Sequence, residues 1–336
     1  MNRFADKYRY VFLIIGSIAF LYLILRYGLG NLAHDIAKTG IWFIPVILLW
    51  LIIYLLNTYN WFVNIKALDE HIGFWELLNN HICSSAINYI TPFVSLGGEP
   101  YRLIYAAERM GKEKAISSVI LYNIFHVFSH ILFWTGCCIV IITTFKDGYL
   151  ISLSWAALIV FSLIILLLLA GLRKGFFAFF IRKLEGRLFI KPLNRFLRDK
   201  KEKILRIDSL ICSIHSRKKR YFYAAILSEF VSRIVASIEF YIILYSIDIY
   251  IPLFTAIYIY GAASLLLNIL SFVPMESGTR EGALYYISDS IGINAETGIY
   301  ISVVTRIREF FWIFTGIFLM KFYQFNKRDC KTDFYE

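Results

Sequence analysis

Charge is scarce in this chain: only 18% of its 336 residues are Asp, Glu, Lys or Arg, where soluble proteins carry about a quarter. Proline is scarcer still, six in all, so few of the apolar runs are interrupted. The five cysteines (Cys83, Cys137, Cys138, Cys212, Cys330) show no zinc-ligand spacing and no disulfide framework, and they read as core residues or reduced thiols. P-loop, dinucleotide fingerprint and H-E-x-x-H are all missing, which removes the common sequence routes to nucleotide-driven or zinc-hydrolase chemistry. No cofactor and no metal is expected. What fills the chain instead is 59% hydrophobic and 18% aromatic residues. That composition is an integral membrane protein's, and its fold class should be all-α.

Apolar stretches run over about 10–27, 41–63, 74–93, 117–145, 149–172, 221–247, 252–273 and 296–322. The first follows Arg3, Lys7 and Arg9 and reads as a retained helix, since no small-x-small cleavage site follows it. Charge sets the threading. Residues 173–220 hold 16 Lys or Arg against Glu185, Asp199, Glu202 and Asp208, so this segment should be cytoplasmic. If 74–116 enters and leaves on one side, the basic N-terminus joins it there. The same treatment of 252–292 brings the basic C-terminal tail, 323–336, inside as well. The expectation is one transmembrane domain over 1–336, with six crossing helices and two re-entrant hairpins. It divides into units 1–147 and 149–322 of opposite orientation, an inverted-topology repeat in a cell (inner, cytoplasmic) membrane. The basic segment 173–220 should meet anionic headgroups, with Lys191 to Arg206 as an amphipathic helix. Nucleic acid is not an expected partner. Membrane lipids are, and a homodimer is left open.

Each hairpin carries the same pattern, P-x-x-S-x-x-x-E. The first copy is Pro92, Ser95, Gly97, Gly98 and Glu99, with Arg102 following. The second, 182 positions later (92 to 274), is Pro274, Ser277, Gly278 and Glu281, with Arg280 inside it. Pro92, Gly97, Gly98, Pro274 and Gly278 should break helices at membrane depth. Such a break is tolerated only where protein or a water-filled cavity satisfies the backbone. Paired breaks in two halves of a chain point to a transporter's substrate site.

Ionisable side chains at that depth are functional candidates by default. They are Glu99, Arg102, Arg280 and Glu281 at the breaks, Glu229, Arg233 and Glu239 in the sixth stretch, and Arg306 in the last, with Ser95 and Ser277 beside them. Free helix-terminal N–H groups and arginine forks suit a phosphate. Glu229–Arg233 and Arg306–Glu309 could equally be internal pairs that hold helices in register. His126 and His130 stand at i, i+4 with no third ligand, and a bundle-facing polar stripe is the simpler account.

On these residues the chain resembles the transmembrane, flippase-like domain of the lysylphosphatidylglycerol synthase family over nearly its whole length. Pro92, Gly98, Glu99 and Arg102 match one family hallmark. Pro274, Gly278 and Glu281 match another, P-G-G-x-G-x-x-E, although Met275 and Glu276 replace its double glycine. Around Asn123 and His126 the chain also lacks charged residues often found in the family. The resemblance implies a flippase or translocase moving a phospholipid or lipid-linked headgroup between leaflets. The synthase domain is not in this sequence, so aminoacyl transfer is not expected of it. The competing expectation is a membrane-embedded enzyme, or an assembly partner, in lipid-linked glycan or envelope-lipid synthesis.

Overall fold

The computed structural model describes residues 22, 25, 29–90, 98–144, 148–175, 191–271, 273 and 276–332. Pro92, Ser95, Gly97 and Pro274 lie outside the described residues, as does most of the first apolar stretch. All regular structure among the described residues is helical. The elements are α1 (Leu29–Thr39), a 3-10 turn (Gly40–Trp42), α2 (Phe43–Ala67), α3 (Phe74–Ile90), α4 (Gly98–Met110) and α5 (Lys112–Thr144). They continue with α6 (Gly148–Lys174), α7 (Lys191–Arg217), α8 (Lys219–Tyr245), α9 (Leu253–Ile269), α10 (Thr279–Ser290) and α11 (Ala295–Thr332). The protein is an all-α membrane protein.

Among the described residues, three stretches are long and apolar enough to cross a bilayer: Ala33–Ala67, Lys112–Thr144 and Ile151–Arg173. α8 and α11, at 27 and 38 residues, have the length. Their middles carry charges, which are largely buried inside the protein. α3 and α9 have 17 residues each, α4 has 13 and α10 has 12. At 1.5 Å per residue none of the four covers the roughly 30 Å of a hydrocarbon core.

The chain folds into two compact units that interleave in sequence: 1–54, 79–100 and 234–336 form one, 55–78 and 101–233 the other. In the first, α10 packs on both α9 and α11. Gly298 makes the α10–α11 approach possible, because a Cβ there would collide with the backbone of Leu284 and Tyr285. The end of α3 also leans on α11, with Cys83 Sγ 3.6 Å from the Gly316 carbonyl. In the second unit α5 packs on α6, and α7 on both. Trp61, Leu121, Phe125, Leu172, Ile211, Ile214 and Phe222 close its core. α7 is thus anchored by its C-terminal half. Leu153, Trp155, Ile159, Leu163 and Leu166 of α6 stay exposed, the surface a lipid-facing helix requires.

Contacts link the two members of each short-helix pair. Glu76 in the first turn of α3 accepts a hydrogen bond from Tyr105 Oη (2.8 Å) and lies 3.5 Å from Arg109 Nε, both near the end of α4. At the other end Gly98 N donates to Asn88 Oδ1 (2.6 Å). Tyr258, early in α9, hydrogen-bonds Ser290 at the end of α10.

Candidate functional site

Gly278 is the N-cap of α10 at φ +75°, and Glu276 just before it sits at φ +52°. Glycine adopts that region freely, whereas a glutamate there is strained. The turn they make aims two charged side chains, Glu281 and Arg280, at α11. Glu281, fully buried, reaches back to accept from Gly278 N (2.9 Å), as a third-position glutamate does in a capping box. It also accepts from Ser302 Oγ (2.6 Å) and from Arg306 Nε (2.8 Å). Arg280 holds Glu276 through Nε (2.9 Å) and Nη2 (2.6 Å), and Glu309 through Nη1 (2.6 Å). Next along α11, Arg308 takes Glu239 of α8 with Nε (2.9 Å) and Nη2 (3.3 Å). Trp50 Nε1 donates to the same carboxylate (2.8 Å), and its ring lies 3.7 Å under the Arg308 guanidinium, a cation–π contact. Tyr89, at the end of α3, is within electrostatic reach of Glu309, Arg308 and Arg280.

Glu239, Glu276, Glu281 and Glu309 therefore face Arg280, Arg306 and Arg308 in one network. It is graded in depth. The Glu281 and Glu239 side chains are 0% and 1% exposed, whereas Glu276 is 32% exposed. Nε and Nη2 of Arg280 converge on the single Oε2 of Glu276, the most exposed carboxylate of the network.

A second cluster lies in the other unit. Glu229, fully buried, accepts from Asn60 Nδ2 (3.0 Å) and contacts His126 Nδ1 and Arg233 Nη2, both at 3.0 Å. Asn64 Nδ2 donates to Asn60 Oδ1 (2.9 Å) and so turns the Asn60 amide toward Glu229. Arg102 is buried with its guanidinium 4.5 Å over the Tyr122 ring, and that ring stacks on His126 at 5.9 Å.

The sequence candidates are thus divided. Arg280, Glu281, Arg306 and Glu239 join the first network, and Arg102, Glu229 and Arg233 the second. Glu99 is half-buried in the first turn of α4, and Ser277 is half-buried in the turn before α10. Arg306 pairs with Glu281 and Glu309 with Arg280, across helices rather than along α11. Sequence reasoning missed Trp50, Ser302, Asn60 and Asn64. Asn57, Asn60 and Asn64, at i, i+3 and i+7, were a legible polar stripe in an apolar helix. Among the described residues no group of three or more His, Cys, Asp or Glu could hold a metal ion.

Long apolar helices and buried ion pairs at helix breaks define a multi-pass membrane protein with its polar chemistry turned inward. The chain belongs to the family described as the lysylphosphatidylglycerol synthase TM region, which it matches over residues 10–317. Membership puts it among membrane proteins of phospholipid modification or translocation. No curated protein and no solved structure matches it.

Proposed function

We propose that the protein is a lipid translocase, moving a phospholipid or lipid-linked headgroup between the leaflets of a cell membrane. The observation that carries this reading is the Arg280 network, in which a helix break directs a guanidinium fork to a partly exposed carboxylate. A headgroup phosphate replaces Glu276 on Arg280, gaining the bidentate geometry arginine offers. The released Glu276 carboxylate then suits the cationic part of a zwitterionic headgroup, while acyl chains stay in lipid.

The membrane arrangement proposed is six crossings with two re-entrant hairpins, α3–α4 entering from the cytoplasm and α9–α10 from the opposite face, in two inverted repeats. Ion pairs between distant segments support it. Lys218 contacts Asp69 at 2.6 Å, and Glu70 contacts Lys114. All four belong to loops or helix ends assigned to the cytoplasm. Lys38 contacts Asp248 at 2.6 Å, and both are assigned to the opposite face. Both chain termini are then cytoplasmic, and the basic segment 173–220 lies on anionic headgroups.

Reconstitution into vesicles with fluorescent phospholipids, read by quenching of the outer leaflet, tests the activity. Flip above that of empty vesicles is expected for at least one major membrane lipid. Arg280→Lys and Glu99→Gln should each reduce it at least about tenfold with folded protein retained. No flip by folded protein of any of these lipids would overturn the reading. Lipid product formed by the purified chain alone would favour an embedded enzyme instead.

A further inference from the structure

His126 is held between a carboxylate and a guanidinium, and its protonation state decides which contacts it makes. Its Nδ1 lies 3.0 Å from Glu229 Oε2, and Arg233 Nη2 lies 2.8 Å from Nδ1 and 3.2 Å from Nε2. An ionised carboxylate only accepts and a guanidinium only donates. With Nδ1 bare, the ring accepts from Arg233 and meets Glu229 lone pair to lone pair. With a proton on Nδ1 it donates to Glu229 while Nε2 accepts from Arg233, and a second proton, at Nε2, removes that acceptor.

We infer that His126 is a proton-binding site, and that its occupancy is coupled to the binding of an anionic headgroup by Arg233. The His126 side chain is 33% exposed, so its ring is the open end of the cluster where a proton can arrive, while Glu229 beneath it is fully buried. The imidazolium takes Glu229 Oε2, and Asn60 keeps Oε1. Arg233 then loses the ring lone pair it shared at Nε2, and its carboxylate is divided with an imidazolium. Its Nε already has no hydrogen-bond partner in this arrangement, although the side chain is only 8% exposed. A guanidinium so released, beside a new positive charge, is satisfied by an anion.

The groups facing His126 agree with this. Glu229 and Arg233 reach it from α8, and Arg102 of α4 acts on it through space. On its own helix His130 lies 5.0 Å away and Tyr122 5.9 Å, ring to ring. α2 contributes the neutral Asn60, which acts through Glu229. Protonation adds positive charge next to Arg233 and Arg102, which only an anion offsets. By linkage, anion and proton each raise the other's affinity. A headgroup crossing with its proton would then be driven by a proton gradient.

The inference rests on reading the chain as a binder of anionic lipid headgroups, but its test needs no transport. The full chain, with ¹⁵N-labelled histidine, is titrated by NMR in phosphatidylcholine bilayers with and without phosphatidylglycerol as the anionic probe. The His126 resonance is the one missing from His126→Gln. Should that variant not fold, it is assigned in a chain keeping His126 as its sole histidine. Phosphatidylglycerol should raise the His126 midpoint by about one pH unit, a tenfold coupling, beyond any shift of the exposed His34. Arg233→Gln should abolish the excess, and His34→Gln should leave it intact. A His126 shift equal to that of His34, or one surviving in Arg233→Gln, overturns the inference. Linkage without flip sinks the translocase reading alone, and flip without linkage sinks this inference alone.

Discussion

Arg280 and Glu309, 29 residues apart in sequence, meet at 2.6 Å with each side chain only 11% exposed. Each has a further neighbour: Glu276 on Arg280, and Arg308 at 3.9 Å from Glu309. Removing one member of such a pair leaves a desolvated charge without its counterpart, a cost of about 3–5 kcal/mol. Glu309→Leu and Arg280→Met should each lower the unfolding midpoint in detergent sharply. The double variant should be less destabilised than the sum of the two, by more than about 1 kcal/mol. Additive losses in that cycle would mean that the pair contributes nothing as a pair.

Close helix approach makes a graded prediction from glycines alone. A Cβ on Gly298 would meet the Leu284 carbonyl and peptide, and one on Gly98 the Ser84 carbonyl, backbone atoms that cannot turn aside. Gly282 has nothing within 4 Å of an added Cβ. Gly298→Ala and Gly98→Ala should each destabilise by about 1–3 kcal/mol through overpacking. Gly282→Ala should be neutral or stabilising by up to about 1 kcal/mol, since alanine is the better helix former. Thermal unfolding of the three variants checks the order, which a uniform response would contradict.

Much of the element order was legible because breaks, polar loads and charge runs are local signals. α3 stops at Ile90 and α4 starts at Gly98, and α10 starts one residue after Gly278. The site was legible only as a set of residue types. Arg306, Arg308 and Glu309 are near neighbours on α11, yet they go to Glu281, Glu239 and Arg280 respectively. A helix turns about 100° per residue, so adjacent side chains face different neighbours. Which neighbour stands there is decided by packing between distant segments. The 103-residue separation of His126 and Glu229 left no trace in spacing for the same reason.

Asp69 ties acid stability to one exposed contact. Lys218 Nζ donates to its Oδ1 (2.6 Å) and to the Ala67 carbonyl at the end of α2 (2.7 Å). The hydrogen bond and charge of Lys218 hold the Asp69 carboxyl below its ordinary value. A carboxyl depressed in the folded state adds stability above its unfolded pKa and loses it as pH falls through the folded one. The stability difference between the wild type and Lys218→Met should therefore be constant above about pH 4. Below that it should shrink toward what the Ala67 hydrogen bond alone contributes. Acid denaturation of the two chains, followed by circular dichroism, measures it. A difference that grows on acidification would contradict the sign.

The sidedness of the two exposed ion pairs tests the threading directly. Asp69 and Asp248 have side chains 84% and 65% exposed, so a cysteine at either position is open to reagent, although φ of 58° and 64° makes it a strained replacement. Between them the proposed path has three crossings, by α5, α6 and α8, with α3–α4 turning back. An odd number of crossings puts the two positions on opposite faces. If α3–α4 crossed fully as two helices the number would be five, still odd, so this pair alone is blind to the first hairpin. A third cysteine, at half-buried Ser85 near the turn of α3, resolves it. Position 85 should be shielded from a membrane-impermeant maleimide applied to intact cells, and reached, slowly, in inverted vesicles. Asp248→Cys should react only in intact cells and Asp69→Cys only in inverted vesicles, with the native cysteines replaced. Rapid labelling of position 85 from the face that labels position 248 would mean that α3 crosses the membrane, and the re-entrant reading of α3–α4 would fall.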